Sequence, residues 1–287
     1  METWFALAIL FAISHSFVSL IDKILLRKKI DPVGLSSFRI LTNAAIMLIV
    51  FALFFRQPLS LNWTVIIISV LFSISALCYF SALKIEDVSK VIPFGESIAI
   101  LLSFFIPLTL FHEAISAYDY LGVFAIAIGG YIILTDGKIS FPRMTRGLAL
   151  IAINAVTISL VGVIGKIAVA TIHPIQLTFL MYAFVSLWLV IVNLVWNRKK
   201  QFETIRFLLD NPKSLFLSVS SSILATIGYL GVFFALLVGN ASEVLPLSRT
   251  LPLFVALLGW ILLKERHGIQ RVLGALVMVA GMYLIYL

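Results

Sequence analysis

The chain has 287 residues, 62% of them hydrophobic and 12% charged, with a net charge of +8. A soluble surface needs more polar area than this composition supplies, so the long apolar runs describe an all-α integral membrane protein. The positive excess sits in loops, where it sets topology rather than binding nucleic acid, and the single Cys78 excludes an internal disulfide and any Cys/His metal spacing.

Ten spans, each long enough for ~30 Å of hydrocarbon, are predicted near 3–22, 33–55, 61–82, 91–111, 118–134, 147–165, 174–196, 214–237, 245–263 and 270–287. The first begins almost at Met1 without a basic leader and reads as a span, not a signal peptide. It carries His15 among Ser14, Ser16 and Ser19. That imidazole suits a proton-coupled step or a hydrogen bond across helices. Asp22 falls at the basic end of the span, beside Lys23. The second span opens on Asp31-Pro32 and carries Arg39, which snorkels or pairs structurally. The third is rich in small polar residues that allow close packing; its Tyr79 is a buried phenol in need of a partner.

The fourth span opens on VSKVIPFGES and places Glu96 inside an apolar run; Pro93 just before it either breaks the helix or starts it. The fifth is punctuated by Gly122, Gly129 and Gly130, which fit tight helix packing. The sixth has a polar stretch from Asn154 to Ser159, facing the same lining as His15. Residues 197–213 form a basic loop. The eighth span carries a serine cluster and Tyr229, a second phenol in the lining. The ninth opens on ASEVLPLSRT and places Arg249 inside the membrane. The tenth repeats the glycine pattern with Gly274 and Gly281.

The openings of spans four and nine are one motif used twice. Ser89, Val91 and Pro93 recur as Ser242, Val244 and Pro246, while Glu96 is answered by Arg249. Leu121, Gly122, Gly129 and Tyr131 recur as Leu273, Gly274, Gly281 and Tyr283; Glu113 recurs as Glu265, and Lys23-Ile24 as Lys166-Ile167. The chain therefore divides into a first repeat over 1–137 and a second over 138–287. Five spans per repeat force the second to be inverted, an architecture of secondary transporters. Of the 21 lysines and arginines, seventeen fall in the loops of one face, from Lys23 to Arg271, and two, Arg56 and Lys166, on the other. By the positive-inside rule the basic loops are cytoplasmic and both termini lie outside.

With these residues in hand, the chain resembles the EamA-like branch of the drug/metabolite transporter superfamily. The resemblance rests on LLGWILLKERHGIQRVLGALVMVAGMYLIY at 257–286, its weaker copy FHEAISAYDYLGVFAIAIGGYIIL at 111–134, and DPVGLSSFRIL at 31–41. It implies a transporter, not an enzyme, moving a small molecule by alternating access through a cavity between the halves. It also implies cytoplasmic termini, against the charge bias, and the charge bias is followed here. The related small multidrug-resistance proteins exchange protons for cations at an acid midway along helix 1; this chain has none at that depth.

Ionisable groups inside a membrane are costly and mark function by default. Glu96 and Arg249 lock the halves together as an ion pair, hold a zwitterionic or charged substrate, or stand at helix ends near a headgroup. If the hydrocarbon begins at Val91 and Val244, helical rise leaves ~15 Å between them along the normal; if it begins nearer residues 88 and 241 the gap is roughly 6 Å, which long side chains bridge. The expected substrate-binding set is Glu96, Arg249, His15, Tyr79, Tyr229 and Asn154, with any proton coupling through His15 or Glu96. No cofactor or metal is expected. The partners are a small-molecule substrate and the lipid bilayer, with the chain a monomer or homodimer in the plasma membrane. The function so read is secondary transport of a small metabolite, an amino acid or similar zwitterion, with export favoured. A translocase of a lipid-linked substrate is the alternative. An intramembrane transferase is disfavoured because no carboxylate cluster is present to hold a metal.

Overall fold

The computed structural model describes residues 3–28, 30–55, 58–113, 116–135, 144–196, 198–255, 258 and 268–286. The described elements are all helical: α1 (Thr3–Arg27), α2 (Pro32–Phe54), α3 (Trp63–Ile85), α4 (Val88–Phe111), α5 (Ala117–Thr135), α6 (Arg146–Val169), α7 (Pro174–Trp196), α8 (Arg198–Asp210), α9 (Pro212–Val238), α10 (Ala241–Ser248) and α11 (Gly268–Tyr286). Seven of them are long and apolar enough to cross a membrane, and shorter apolar helices cover Ala117–Ile133 and Val272–Ile285. The chain is thus a multi-pass membrane protein. Leu48, Ile49, Leu53 and Phe54 of α2 and Phe124 and Ile128 of α5 are exposed. Lipid solvates such a surface without penalty.

Local chemistry sets the helix starts. Asp31 caps α2 by accepting from Gly34 N at 3.0 Å, with Pro32 at the first helical position. His173 plays the same part before Pro174, accepting from Ile175 N at 3.3 Å. Thr145 caps α6 through Leu148 N at 3.2 Å. α10 is capped from another helix: Glu113, just past α4, accepts from Ala241 N and Ser242 N at 2.8 Å each. Its repeat mate Glu265 lies outside the described residues.

Packing exchanges the halves. α1 packs on α9 and α3 on α6, while α2 meets α7, α4 meets α10, and α5 meets α11. Lys23 of α1 donates to the carbonyls of Leu83, at 2.8 Å, and Glu86 at the end of α3. Lys166 of α6 donates to Leu236 O and Gly239 O, 2.8 Å each, at the end of α9. Each lysine satisfies carbonyls that a helix end leaves unpaired.

Several expectations are corrected. α1 runs to Arg27, not to about 22, so Asp22 and Lys23 sit within it and are buried. The loop expected over 197–213 contains α8, an amphipathic helix whose charge content conceals its pattern in a hydropathy reading. Pro93 and Pro246 lie inside helices that begin earlier, at Val88 and Ala241, so neither starts a helix. The ninth expected span, 245–263, begins as α10 and turns at 249–250 before resuming over 251–255; most of the remainder lies outside the described residues.

Candidate functional site

α4 and α10 carry the two intramembrane charges to equal depth. Glu96 and Arg249 each follow their helix start by eight residues, a rise of ~12 Å. They meet: Arg249 Nε lies 3.9 Å from Glu96 Oε2, with both side chains largely buried. That separation is within Coulombic reach but too long for a hydrogen bond. Neither Glu96 Oε2 nor Arg249 Nε has a hydrogen-bond partner among the described residues. Arg249 is held from elsewhere, by a long 3.4 Å contact from Nη2 to the Ile158 carbonyl and by the Phe11 ring, whose centroid is 5.7 Å from the guanidinium carbon.

The backbone differs between the two repeats at this point. α4 continues through Pro93 and Glu96 to Phe111. α10 stops at Ser248, because Pro252 has no N–H for the Ser248 carbonyl and its ring crowds that group. The chain tightens there into three-residue bonds, Arg249 N to Pro246 O at 3.1 Å and Thr250 N to Leu247 O at 3.2 Å. Arg249 therefore projects from a helix break, and Glu96 from a continuous helix.

Both charges line a cavity of about 80 Å³ between α1, α2, α3, α4, α6, α7, α9 and the α10 break. The structure brings all six sequence-selected residues to this cavity. His15 stacks on Phe11, with centroids 3.9 Å apart and planes at 14°. Tyr229 stands edge-on to His15 at 4.9 Å. Neither imidazole nitrogen has a hydrogen-bond partner among the described residues. Gly228 makes room for this stack, since a Cβ there would lie 2.6 Å from His15 Nδ1. Asn154 Nδ2 donates to Ser75 Oγ at 2.7 Å, tying α6 to α3.

Tyr79 belongs to a second polar cluster that the sequence reading missed. Its hydroxyl lies 3.1 Å from Ser19 Oγ and 3.3 Å from Asp22 Oδ2. Asp22 is fully buried, forms an ion pair with Arg39, and accepts from Ser221 Oγ at 3.1 Å. Four helices, α1, α2, α3 and α9, converge on that carboxylate. Arg39 lines the cavity and stacks over Phe80 at 5.5 Å. The available signal was matched depth: Asp22 lies five residues before the end of α1 and Arg39 seven after the start of the antiparallel α2, or ~8 and ~10 Å. Phe11, Phe72 and Tyr182 also line the cavity, and with Tyr229 they make its wall largely aromatic. Among the described residues no group of three or more His, Cys, Asp or Glu side chains could hold a metal.

The site is a largely aromatic chamber presenting one acid and one base side by side. Comparison with known proteins places the chain in a family. The profile of the EamA-like transporter family matches residues 2–135 and 145–287. No curated protein sequence matches. One solved crystal structure of a protein superposes with a TM-score of 0.78 at 14% identity, covering 98% of this chain and 95% of that one. At that identity the likeness speaks for the fold alone.

Proposed function

The chain belongs to the EamA-like transporter family, and from that premise we propose that it is a secondary transporter of a zwitterionic metabolite, an amino acid or a close analogue. Members of this family, within the drug/metabolite transporter superfamily, are membrane transporters of small molecules. The observation that carries the substrate class is the open pairing of Glu96 and Arg249, 3.9 Å apart in the cavity. Removing one partner of a buried ion pair is costly, because the other charge is left uncompensated. A zwitterion avoids that cost. Its ammonium takes Glu96 as its carboxylate takes Arg249, so neither buried charge is ever alone. The rings of Phe11, His15, Phe72 and Tyr229 then face the substrate side chain and its ammonium. His15, Tyr79, Tyr229 and Asn154 complete the contact set, and any proton coupling runs through Glu96 or His15.

The exchange of packing partners supports two inverted five-helix repeats over 1–137 and 138–287. The matching lysine clamps at Lys23 and Lys166 support them too. Two such halves rocking about the charge pair give alternating access. The seventeen-to-two charge split supports a plasma-membrane protein with basic loops inside and both termini outside, and export is the direction we expect. A translocase of lipid-linked substrates needs polar groups open to lipid, whereas Glu96 and Arg249 are shielded within the bundle.

The test is a thermal-shift comparison on the purified full chain with an amino acid, its decarboxylated amine and its deaminated acid. A ligand that binds the native state raises its melting temperature by mass action. Stabilisation by the amino acid well above either fragment is the expected result. Equal stabilisation by amine or acid alone would overturn the zwitterion reading.

A further inference from the structure

α8 plays no part in the transport site. It joins the end of α7 to the start of α9, so it lies at the membrane surface on the face of the basic loops. Its sequence RKKQFETIRFLLD carries Arg198, Lys199, Lys200 and Arg206 against Glu203 and Asp210. One side is docked. Thr204 and Leu208 are buried, and Thr204 sits so close to Gly34 of α2 that a Cβ there would lie 2.6 Å from its Oγ1. Lys200 Nζ, 3.7 Å from Asp31 Oδ1, pins the same side. At 100° per residue that docking turns Phe202, Arg206, Leu209 and Lys199 outward, with Arg198 along one flank and Asp210 and Glu203 along the other. Phe202 and Leu209 are 57% and 60% exposed, and Phe216, early in α9, is 71% exposed.

Large apolar side chains so exposed beside bases fit the boundary between headgroups and acyl chains. The Arg198 guanidinium carbon lies 5.9 Å from the centroid of the Phe202 ring, so a base stands over the apolar ridge. Arg206 Nε is 3.7 Å from Asp210 Oδ2, both well exposed, a pair that anionic headgroups can outcompete. We propose that the outward face of α8 is a docking surface for anionic lipid headgroups, with Phe202 and Leu209 inserted among the acyl chains and Arg198, Lys199 and Arg206 on the phosphates. Clustered bases next to a span are drawn to the anionic cytoplasmic leaflet, which agrees with the proposed orientation of the basic loops. The surface is independent of the transport reading.

The experiment uses the full chain with Cys78→Ser and Leu209→Cys, labelled with a polarity-sensitive fluorophore and placed in nanodiscs of phosphatidylglycerol or phosphatidylcholine. In phosphatidylglycerol the label should be quenched by nitroxide lipids and show a several-fold lower quenching constant with neutral acrylamide than in phosphatidylcholine. Arg198→Gln, Lys199→Gln and Arg206→Gln together should abolish that difference. Raising NaCl from about 0.1 to about 1 M, which shortens the Debye length to ~3 Å, should shrink it in the protein that keeps all three bases. Equal acrylamide access in both lipids, or protection that survives the triple substitution or high salt, would overturn the proposal. So would equal protection by inorganic phosphate in detergent, which would assign the bases to a free anion. Protection lost when each disc holds one copy would assign the face to a second chain.

Discussion

At the scale of single residues, two ion pairs of different character bear on the cavity, one lining it and one reaching it only through Arg39. Glu96 and Arg249 are 3.9 Å apart and lack a mutual hydrogen bond. Asp22 is saturated by Arg39, Tyr79 and Ser221. The first pair can exchange partners and the second is part of the framework, and their substitutions should separate accordingly. Glu96→Gln, nearly isosteric, should lower transport in reconstituted vesicles while the purified protein stays folded, with a lower melting temperature because buried Arg249 loses its partner. Wild-type uptake in that variant would remove Glu96 from the mechanism. Asp22→Ala should cost about 3–5 kcal/mol of stability, because it strands the Arg39 charge in the bundle. The double change Asp22→Leu with Arg39→Met should recover most of that loss in thermal unfolding. If the double variant melts as low as the single, Arg39 is not the cause. Glu96 and Arg249 were legible in the sequence because each interrupts an apolar run at a repeated motif. Asp22 was not, because its neighbour Lys23 made it look like part of a basic helix end.

At the scale of elements, two helix pairs show how one repeat gives two geometries. α5 and α11 cross at glycines on both sides. A Cβ at Gly122 would lie 2.5 Å from the Gly281 carbonyl oxygen, and one at Gly274 would lie 2.6 Å from that of Gly129. Each backbone fills the space that the other leaves. Gly274→Val should therefore force α5 and α11 apart and lower the melting temperature markedly, whereas Ala275→Gly, beside it, should cost far less. Equal losses would mean that the crossing is not glycine-limited. α4 and α10 share a motif but not a shape, since Pro252 follows Ser248 by four residues and Pro107 lies eleven beyond Glu96. The glycine pattern was legible, and so was each proline. The break at Arg249 depends on which carbonyls lose a donor. The sequence reading left Pro93 and Pro246 as either helix breaks or helix starts and named Pro252 only as a further kink, whereas the helix stops four residues before Pro252.

At the scale of the whole molecule, the halves are tied at the basic end by Glu86, just past α3. Its carboxylate accepts from Thr145 Oγ1, the cap of α6, at 2.7 Å, and Lys90 lies 3.4 Å away. The Thr145 hydrogen bond, aided by Lys90, holds the Glu86 carboxyl below its ordinary value of 4.5. A carboxyl lowered in the folded state contributes stability above its unfolded pKa and loses it as pH falls through the folded value. The melting-temperature gap between wild type and Glu86→Gln should therefore be present at pH 7 and close at pH values well below 4.5. A gap unchanged by acid would remove the latch.

The sequence by itself determined the membrane class and the repeat, because rise per residue and hydropathy are properties of one helix at a time. It left the approach of Glu96 to Arg249 between ~6 and ~15 Å, depending on where the hydrocarbon begins. Only the tertiary structure decided that Tyr79 turns to Asp22 while Tyr229 turns to His15, that Arg39 enters the cavity wall, and that 198–210 is a docked surface helix. Those outcomes depend on how each helix is rotated and what stands opposite. Side-chain packing between elements distant in the chain sets both.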